Sequence, residues 1–414
     1  PIVLKETGNS LSKIQSAFGL VETHTTIDTI VDKSSLQLKY ETSISKMDKP
    51  TWNELLGQQS TFDWDGLHFL EVAFANSDEP ANKWDFHYYI IKDKNEIPLI
   101  ATFFTYGLWK DDMMATESIS KHLEEERIKN PLYLTSKVLG MGSLFTEGNH
   151  CYLNTSHPLI EEAILMLLQE IETLYNNLNA DMLVLRDFEE NEQLNRIFHN
   201  QGYLKANMPD SCVVENLEWD TPQAFTNKLS PRSKRHFIEE VLPFEKAFDV
   251  VIKNELTIIE TEQIYQLYKN VKNNNLAFNT FTYPPNVFIA MVTDPNWEFI
   301  MLYLKDEDNE QQQGQLVGTL FCYKNSNYTY SPSLIGMDYN YVREFQIYRQ
   351  LLYQGIKRAK ELNFKKIDFG FSATFEKKKL GATVIPKVAY VQARDNFSME
   401  LMGTLQNDDK THKK

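Results

Sequence analysis

Two stretches of the chain repeat one pattern of apolar and polar positions. The first reads Trp84-Asp-Phe-His-Tyr-Tyr-Ile-Ile-Lys-Asp93, a short polar turn, then Pro98-Leu-Ile-Ala-Thr-Phe-Phe-Thr-Tyr106. The second reads Trp297-Glu-Phe-Ile-Met-Leu-Tyr-Leu-Lys-Asp306, a longer polar turn, then Gln315-Leu-Val-Gly-Thr-Leu-Phe-Cys-Tyr323. Two β-rich runs joined by an acidic loop predict a hairpin. The flanks repeat as well. Before each hairpin come a strand-like run (Leu36–Ser45; Phe248–Lys253) and two helical stretches (50–57 and 63–75; 259–274 and 284–292). After each come a further strand (Asn149–Asn154; Tyr328–Gly336) and a long amphipathic helix. The first such helix opens at His157-Pro158, with proline where the first turn has no bond to lose, and repeats apolar residues at Ile160, Ile164, Leu167, Leu168, Ile171, Leu174, Tyr175 and Leu178. The second spans Phe345–Leu362. Both run into a short apolar strand (Asp181–Leu185; Lys366–Phe369), a short helix ending at Gly202 or Gly381, and a last strand (Ser211–Asn216; Lys387–Gln392). The same ten elements in the same order predict an α/β fold present twice, each copy a mixed sheet with helices on both faces. The copies are expected at 36–219 and 220–398, joined near Trp219–Pro222. An insertion is expected at about 108–140, an extension at 1–35 and a tail at 399–414.

Charge narrows the function. Forty-two Lys and Arg against 57 Asp and Glu leave −15, so no broad positive field is available for general nucleic-acid binding, and a polyanion would have to meet a local basic patch. No apolar run approaches the ~18 residues of a membrane span. The three cysteines, Cys151, Cys212 and Cys322, are far apart and form no disulfide framework or zinc spacing, which fits a reducing, cytoplasmic setting. The first residues, Pro1-Ile-Val-Leu-Lys-Glu, lack Met and the order of a signal peptide, so a processed or partial chain is expected.

The element order resembles the GNAT acyltransferase fold, and its duplication resembles the Fem-type peptidyl transferases and predicted bacterial N-acyltransferases. The second half carries this most clearly. There Phe345-Gln-Ile-Tyr-Arg-Gln-Leu-Leu-Tyr-Gln-Gly-Ile-Lys-Arg-Ala-Lys leads into Lys366-Ile-Asp-Phe-Gly-Phe-Ser, then Glu376-Lys-Lys-Lys-Leu-Gly381-Ala, with Pro386 and Tyr390 beyond. Leu229-Ser-Pro-Arg-Ser-Lys-Arg-His-Phe resembles the basic segment that opens the second half of those enzymes. The resemblance implies acyl transfer from a thioester, acyl-CoA first, to an amine such as an amino-lipid precursor or long-chain base, with no metal. Similar domains occur fused behind pyridoxal-phosphate acyl-condensing enzymes, which implies a fused or neighbouring partner of that kind and allows peripheral membrane contact. One feature departs from it. GNAT enzymes cradle the coenzyme A pyrophosphate with a glycine-rich loop before the long helix, and the second half has Asp338-Tyr-Asn-Tyr-Val-Arg-Glu344 there. Lys137-Val-Leu-Gly140-Met-Gly142 in the first half approximates the loop, so Gly140 and Gly142 are donor-binding candidates, with a plain glycine turn as the alternative.

Amide formation needs a base for the amine and a proton for the departing thiolate. In this fold the groove opens where the middle strands separate, which directs attention to Tyr328–Gly336 and the residues after it. Asp338 is the first general-base candidate and Glu344 the second; Tyr330 and Tyr339 are candidate acids. The plainer alternatives are a helix cap for Asp338 and half-buried strand positions for the tyrosines. Two basic runs stand out against the acidic background. Lys228, Arg232, Lys234, Arg235 and His236 form one, and Lys377, Lys378 and Lys379 the other. Both are donor-binding candidates if the halves close on one another, and solvated helix faces otherwise. His150 and His157 read as structural, Trp84 and Trp297 as core, and 121–129 as a salt-bridged surface helix. Two rivals stay open: aminoacyl-tRNA-dependent transfer to cell-wall precursors, and a catalytically silent scaffold.

Overall fold

The computed structural model describes residues 35–276, 278–305, 314–325 and 328–394. The tail expected at 399–414 lies outside them, as does the extension at 1–35 apart from its last residue. The first half runs β1 (Leu36–Glu41), α1 (Lys49–Leu56), α2 (Trp64–Phe74), β2 (Asp85–Asp93), β3 (Pro98–Lys110), α3 (Glu117–Arg127), β4 (Thr135–Met141), β5 (Cys151–Leu153), α4 (Ile160–Asn177), β6 (Met182–Phe188), α5 (Glu192–Asn200) and β7 (Leu204–Glu215). After α6 (Pro222–Lys228) and α7 (Pro231–Glu240), the second half runs β8 (Phe248–Lys253), α8 (Ile258–Asn274), α9 (Pro285–Thr293), β9 (Trp297–Leu304), β10 (Leu316–Asn325), β11 (Thr329–Met337), α10 (Val342–Phe345), α11 (Ile347–Glu361), β12 (Lys366–Asp368), α12 (Thr374–Lys379) and β13 (Thr383–Ala393). Local signals set the helix starts. Asp48 caps α1 through the Thr51 N–H, and Thr257 with Glu260 forms a capping box on α8.

The elements of the two halves follow a similar order, with one reassignment. The strand following the first hairpin is β4, inside the region expected to be an insertion, and 149–154 supplies only the short β5, which pairs with β3. The glycines of Leu139-Gly-Met-Gly hid β4, because a strand interior with glycine is weak by propensity. Gly140 is nevertheless extended and pairs with Thr105 and Val184.

The strands of the described residues form one sheet, in the order β1-β2-β3-β4-β6-β13-β7-β12-β11-β10-β9-β8, with β5 beside β3. The two halves exchange their last strands. β13 lies between β6 and β7, antiparallel to both, with Val391 opposite Val184 and Leu204. β7 in turn pairs with β12, Val214 opposite Ile367. Backbone hydrogen bonds therefore bind the halves along the middle of the sheet. One face is covered by α1, α2, α8 and α9, whose apolar residues share a core in which Phe69 meets Trp297 at 5.1 Å between ring centroids and Trp84 stacks on Phe74 at 3.8 Å. The other face carries α4 and α5 in the first half and α6, α7 and α11 in the second. Full burial of side chains such as Trp297 and Phe103 contributes about 1.5–3 kcal/mol each. The helix at 121–129 is not only a surface helix. Its Arg127 is buried and donates to Asp112 at 2.6 Å and Glu124 at 2.6 Å. Asn279 of the second half bonds both carboxylates at 2.8 Å.

Candidate active site

The sheet opens in two equivalent places. In the second half, β11 and β12 are parallel and paired only through Thr329–Lys366 and Tyr330–Ile367. Past Asp368 the chain leaves β11 for β7, where the Phe369 N–H donates to the Cys212 carbonyl at 2.9 Å. From Ser331 onward β11 borders a cavity of about 510 Å³, within the usual range for small-molecule sites. A bulge shifts the β10–β11 register between Phe321 and Cys322 and leaves Ser333, on the cavity wall, without an opposing residue. Tyr268 and Val271 of α8 line the cavity from one face of the sheet, and Tyr348 and Leu352 of α11 from the other. The opening therefore passes through the sheet.

The polar end of this cavity is built by both halves. Beyond β12 the backbone takes left-handed conformations at Gly370 (φ 62°), Ser372 (φ 70°) and Ala373 (φ 46°), a curl that presents the Phe371 N–H to the first half. The group that meets it is the Glu147 carboxyl, from the loop after β4 in the first half. Its carboxylate accepts from the Phe371 N–H at 2.6 Å. A Cβ on Gly370 would stand 1.6 Å from Glu147 Oε2, so glycine is needed there for space and backbone angle alike. Lys377 fills the curl, donating to the carbonyls of Phe369 at 2.6 Å and Phe371 at 2.8 Å. Asp368 accepts from the Gly370 N–H at 2.9 Å. Burial pushes the Glu147 carboxyl up to about 8, against the pull of the Lys377 ammonium and the Phe371 N–H. Burial raises Asp368 as well and lowers Lys377. On the far wall Lys272 donates to Thr280 at 2.8 Å, and burial pushes its ammonium down to about 7. A buried carboxyl of raised proton affinity on the wall of the cavity is suited to general-base chemistry.

In the first half, β4 and β6 part after Gly140–Val184, and protein fills the gap. Trp109 Cζ2 lies 2.5 Å from where a Gly140 Cβ would be, and the His150 ring occupies the same place beside Gly142 (φ 73°). These two glycines make room for rings, not for a phosphate. Arg186 spans the opening with hydrogen bonds to the carbonyls of Ser143 at 2.9 Å and Thr146 at 2.6 Å. His150 meets Thr146 Oγ1 at 2.8 Å and Asp187 at 3.2 Å. That row has the order of a nucleophile, base and acid, but all three side chains are buried and cannot meet a substrate. It braces the loop that carries Glu147.

The other candidates fall in different places. Tyr330 is fully buried and donates to Glu298 at 2.7 Å, a carboxylate also held by Arg358 at 2.9 Å. It is a core residue, because its position on β11 points it away from the opening. Asp338 accepts from Gln315 at 3.2 Å and from the Asn340 N–H at 3.0 Å, in a separate groove with Glu260. Glu344 is exposed on α10 and does not line the cavity. Tyr339 does line it, with burial pushing its phenol up. The two basic runs do adjoin: His236 lies 3.3 Å from Lys379 and 3.5 Å from Glu376. Of their members only Lys377 borders the cavity. Lys378 and Arg232 are exposed, Lys379 rests over the Phe375 ring at 4.1 Å, Lys234 bonds Asn227 and Arg235 bonds Glu239. Where a glycine loop was sought before the long helix, left-handed Gln346 starts α11 without a side-chain cap, and Val342 and Tyr348 beside it line the cavity.

No protein-family model and no curated protein sequence matches the chain. Solved structures do. A crystal structure of FemX aligns over 86% of this chain and 97% of its own at 9% identity and a TM-score of 0.54. The chain has a GNAT-like fold. Looser likenesses are L-PGS from Bacillus licheniformis, with 9% identity over 87% of this chain and 96% of that one at a TM-score of 0.46, and a GCN5-related N-acetyltransferase from Sphaerobacter thermophilus, with 9% identity over 86% and 95% at 0.44. The likeness to FemX shows the fold alone. It leaves Glu147 and Lys377 to be read from their own geometry.

Proposed function

We propose that the chain is an acyltransferase that moves an acyl group from a thioester to an amine in the cavity between β11 and β12. The observation that carries this reading is Glu147, seated on the Phe371 N–H with its proton affinity raised by burial. An amine arrives as an ammonium and must lose a proton before its nitrogen can attack. Glu147 takes that proton. The nitrogen forms a bond to the acyl carbon, and the carbonyl pair moves onto oxygen, where backbone N–H groups at the Ser333 bulge stabilise it. As the carbonyl re-forms and the C–S bond breaks, the thiolate leaves and takes the proton held by Glu147, directly or through water, and the attached nitrogen gives its second proton to water, leaving the neutral amide. The thioester enters along Tyr348 and Leu352, and the amine from the side of Tyr268 and Val271.

The test is incubation of the protein with acyl-CoA and an amine, following thiol release and the amide by mass spectrometry. Turnover that depends on Glu147 is expected; no thiol release with any acyl-CoA and amine pair overturns the reading.

A further inference from the structure

A second cavity adjoins the first. It lies on the α8 side of the sheet, over β6, β13 and β7, and Phe278 and Phe371 line both cavities. Those two rings meet edge to face at 4.6 Å. The second cavity is narrow, about 90 Å³, with Trp109, Met113, Met114, Met182 and Met208 in its walls and Ala206 opposite Ala389 on its floor. Its charged wall residues are already bound within the protein. Lys110 donates to Glu124 at 2.7 Å, Asp111 accepts from Ser136 at 2.6 Å, and Arg186 is held by the carbonyls of Ser143 and Thr146. A polar ligand would find few free partners here, whereas unbranched thioether walls yield to a slim apolar guest.

We propose that this cavity holds the unbranched hydrocarbon chain of the amine acceptor. The inference rests on the acyl-transfer reading for the direction of the chain. Residue 371 joins the two requirements: its N–H fixes the Glu147 carboxylate that takes the ammonium proton, and its ring walls the apolar cavity. An amine nitrogen at Glu147 therefore directs an attached chain past Phe371 and between the methionines. The acceptor class is a primary amine carrying an alkyl tail.

The test is calorimetric titration of the whole chain with propylamine and decylamine. Each methylene buried should tighten binding about fourfold, so decylamine is expected to bind at least tenfold more tightly. Ala206→Trp, which fills the floor, and Met114→Asp, which places a charge in the wall, are each expected to abolish that gain and leave propylamine binding unchanged. Thermal melts identify a variant that fails to fold, in which case the other variant decides. Equal affinity for the two amines, or a gain that survives the substitutions in folded protein, overturns the proposal. The two readings fail separately. Chain-length-dependent binding without thiol release keeps this cavity's role and removes the transfer chemistry; propylamine acylated as readily as decylamine keeps the chemistry and removes the chain site.

Discussion

The two openings in the sheet arise from equivalent strand pairs and have opposite contents. Between β4 and β6, His150 and Arg186 occupy the space that the parting strands create. Between β11 and β12 the same divergence leaves a cavity. The filled opening serves the empty one: the loop braced by His150 and Arg186 delivers Glu147 across the junction to Phe371. A splayed strand pair is thus a place where chemistry can be put, not chemistry itself, and side-chain volume decides which opening remains a cavity.

Substitutions can break this contrast, beginning where the effect is greatest. Glu147→Gln keeps the shape and removes the base; acyl transfer should fall by about 10²–10⁴-fold, measured as thiol release, with the melting temperature little changed. In the native protein the rate should climb with pH through about 8, as the carboxyl loses its proton. That rise should vanish in Glu147→Gln. Gly370→Ala puts a methyl group against Glu147 at a left-handed backbone angle. It should lower the rate less than Glu147→Gln and cost about 1–3 kcal/mol in a urea titration. Tyr330→Phe removes a buried bond to Glu298 and should cost about 1–2 kcal/mol of stability with no change in rate, separating a core tyrosine from a catalytic one. Asp338→Asn and Glu344→Gln should do least, within about 0.5 kcal/mol and with native turnover.

Much of the fold was legible because apolar periodicity and turn residues act locally. The paired helices before each hairpin, such as 259–274 against Ile258–Asn274, needed no more than that. The opening at β11 was legible too, since Ser331 onward continues the middle strand of a recognised order. The exchange of β7 and β13 was not, because trading the last strand of each half leaves the order of elements along the chain unaltered. The site followed the same division. Lys377 stood out as part of a charged run, and its burial among carbonyls came only from the curl at Gly370–Ala373. Glu147 gave no local sign beyond Gly148 beside it, as its partner lies 224 positions away. Asp338 and Tyr330 drew attention by nearness to the right strand, yet adjacent strand residues face opposite sides. Gly140 and Gly142 were misread because glycine that admits a phosphate and glycine that admits a ring look alike in sequence.

The traded strands also bear on how the protein comes off the ribosome. β6 is made long before β13, the neighbour that completes its pairing. Until β13 has emerged, that edge of β6 lacks its partner. The middle of the sheet therefore closes only once β13 has been made, and a product truncated before β13 would lack not a margin of the molecule but its central seam.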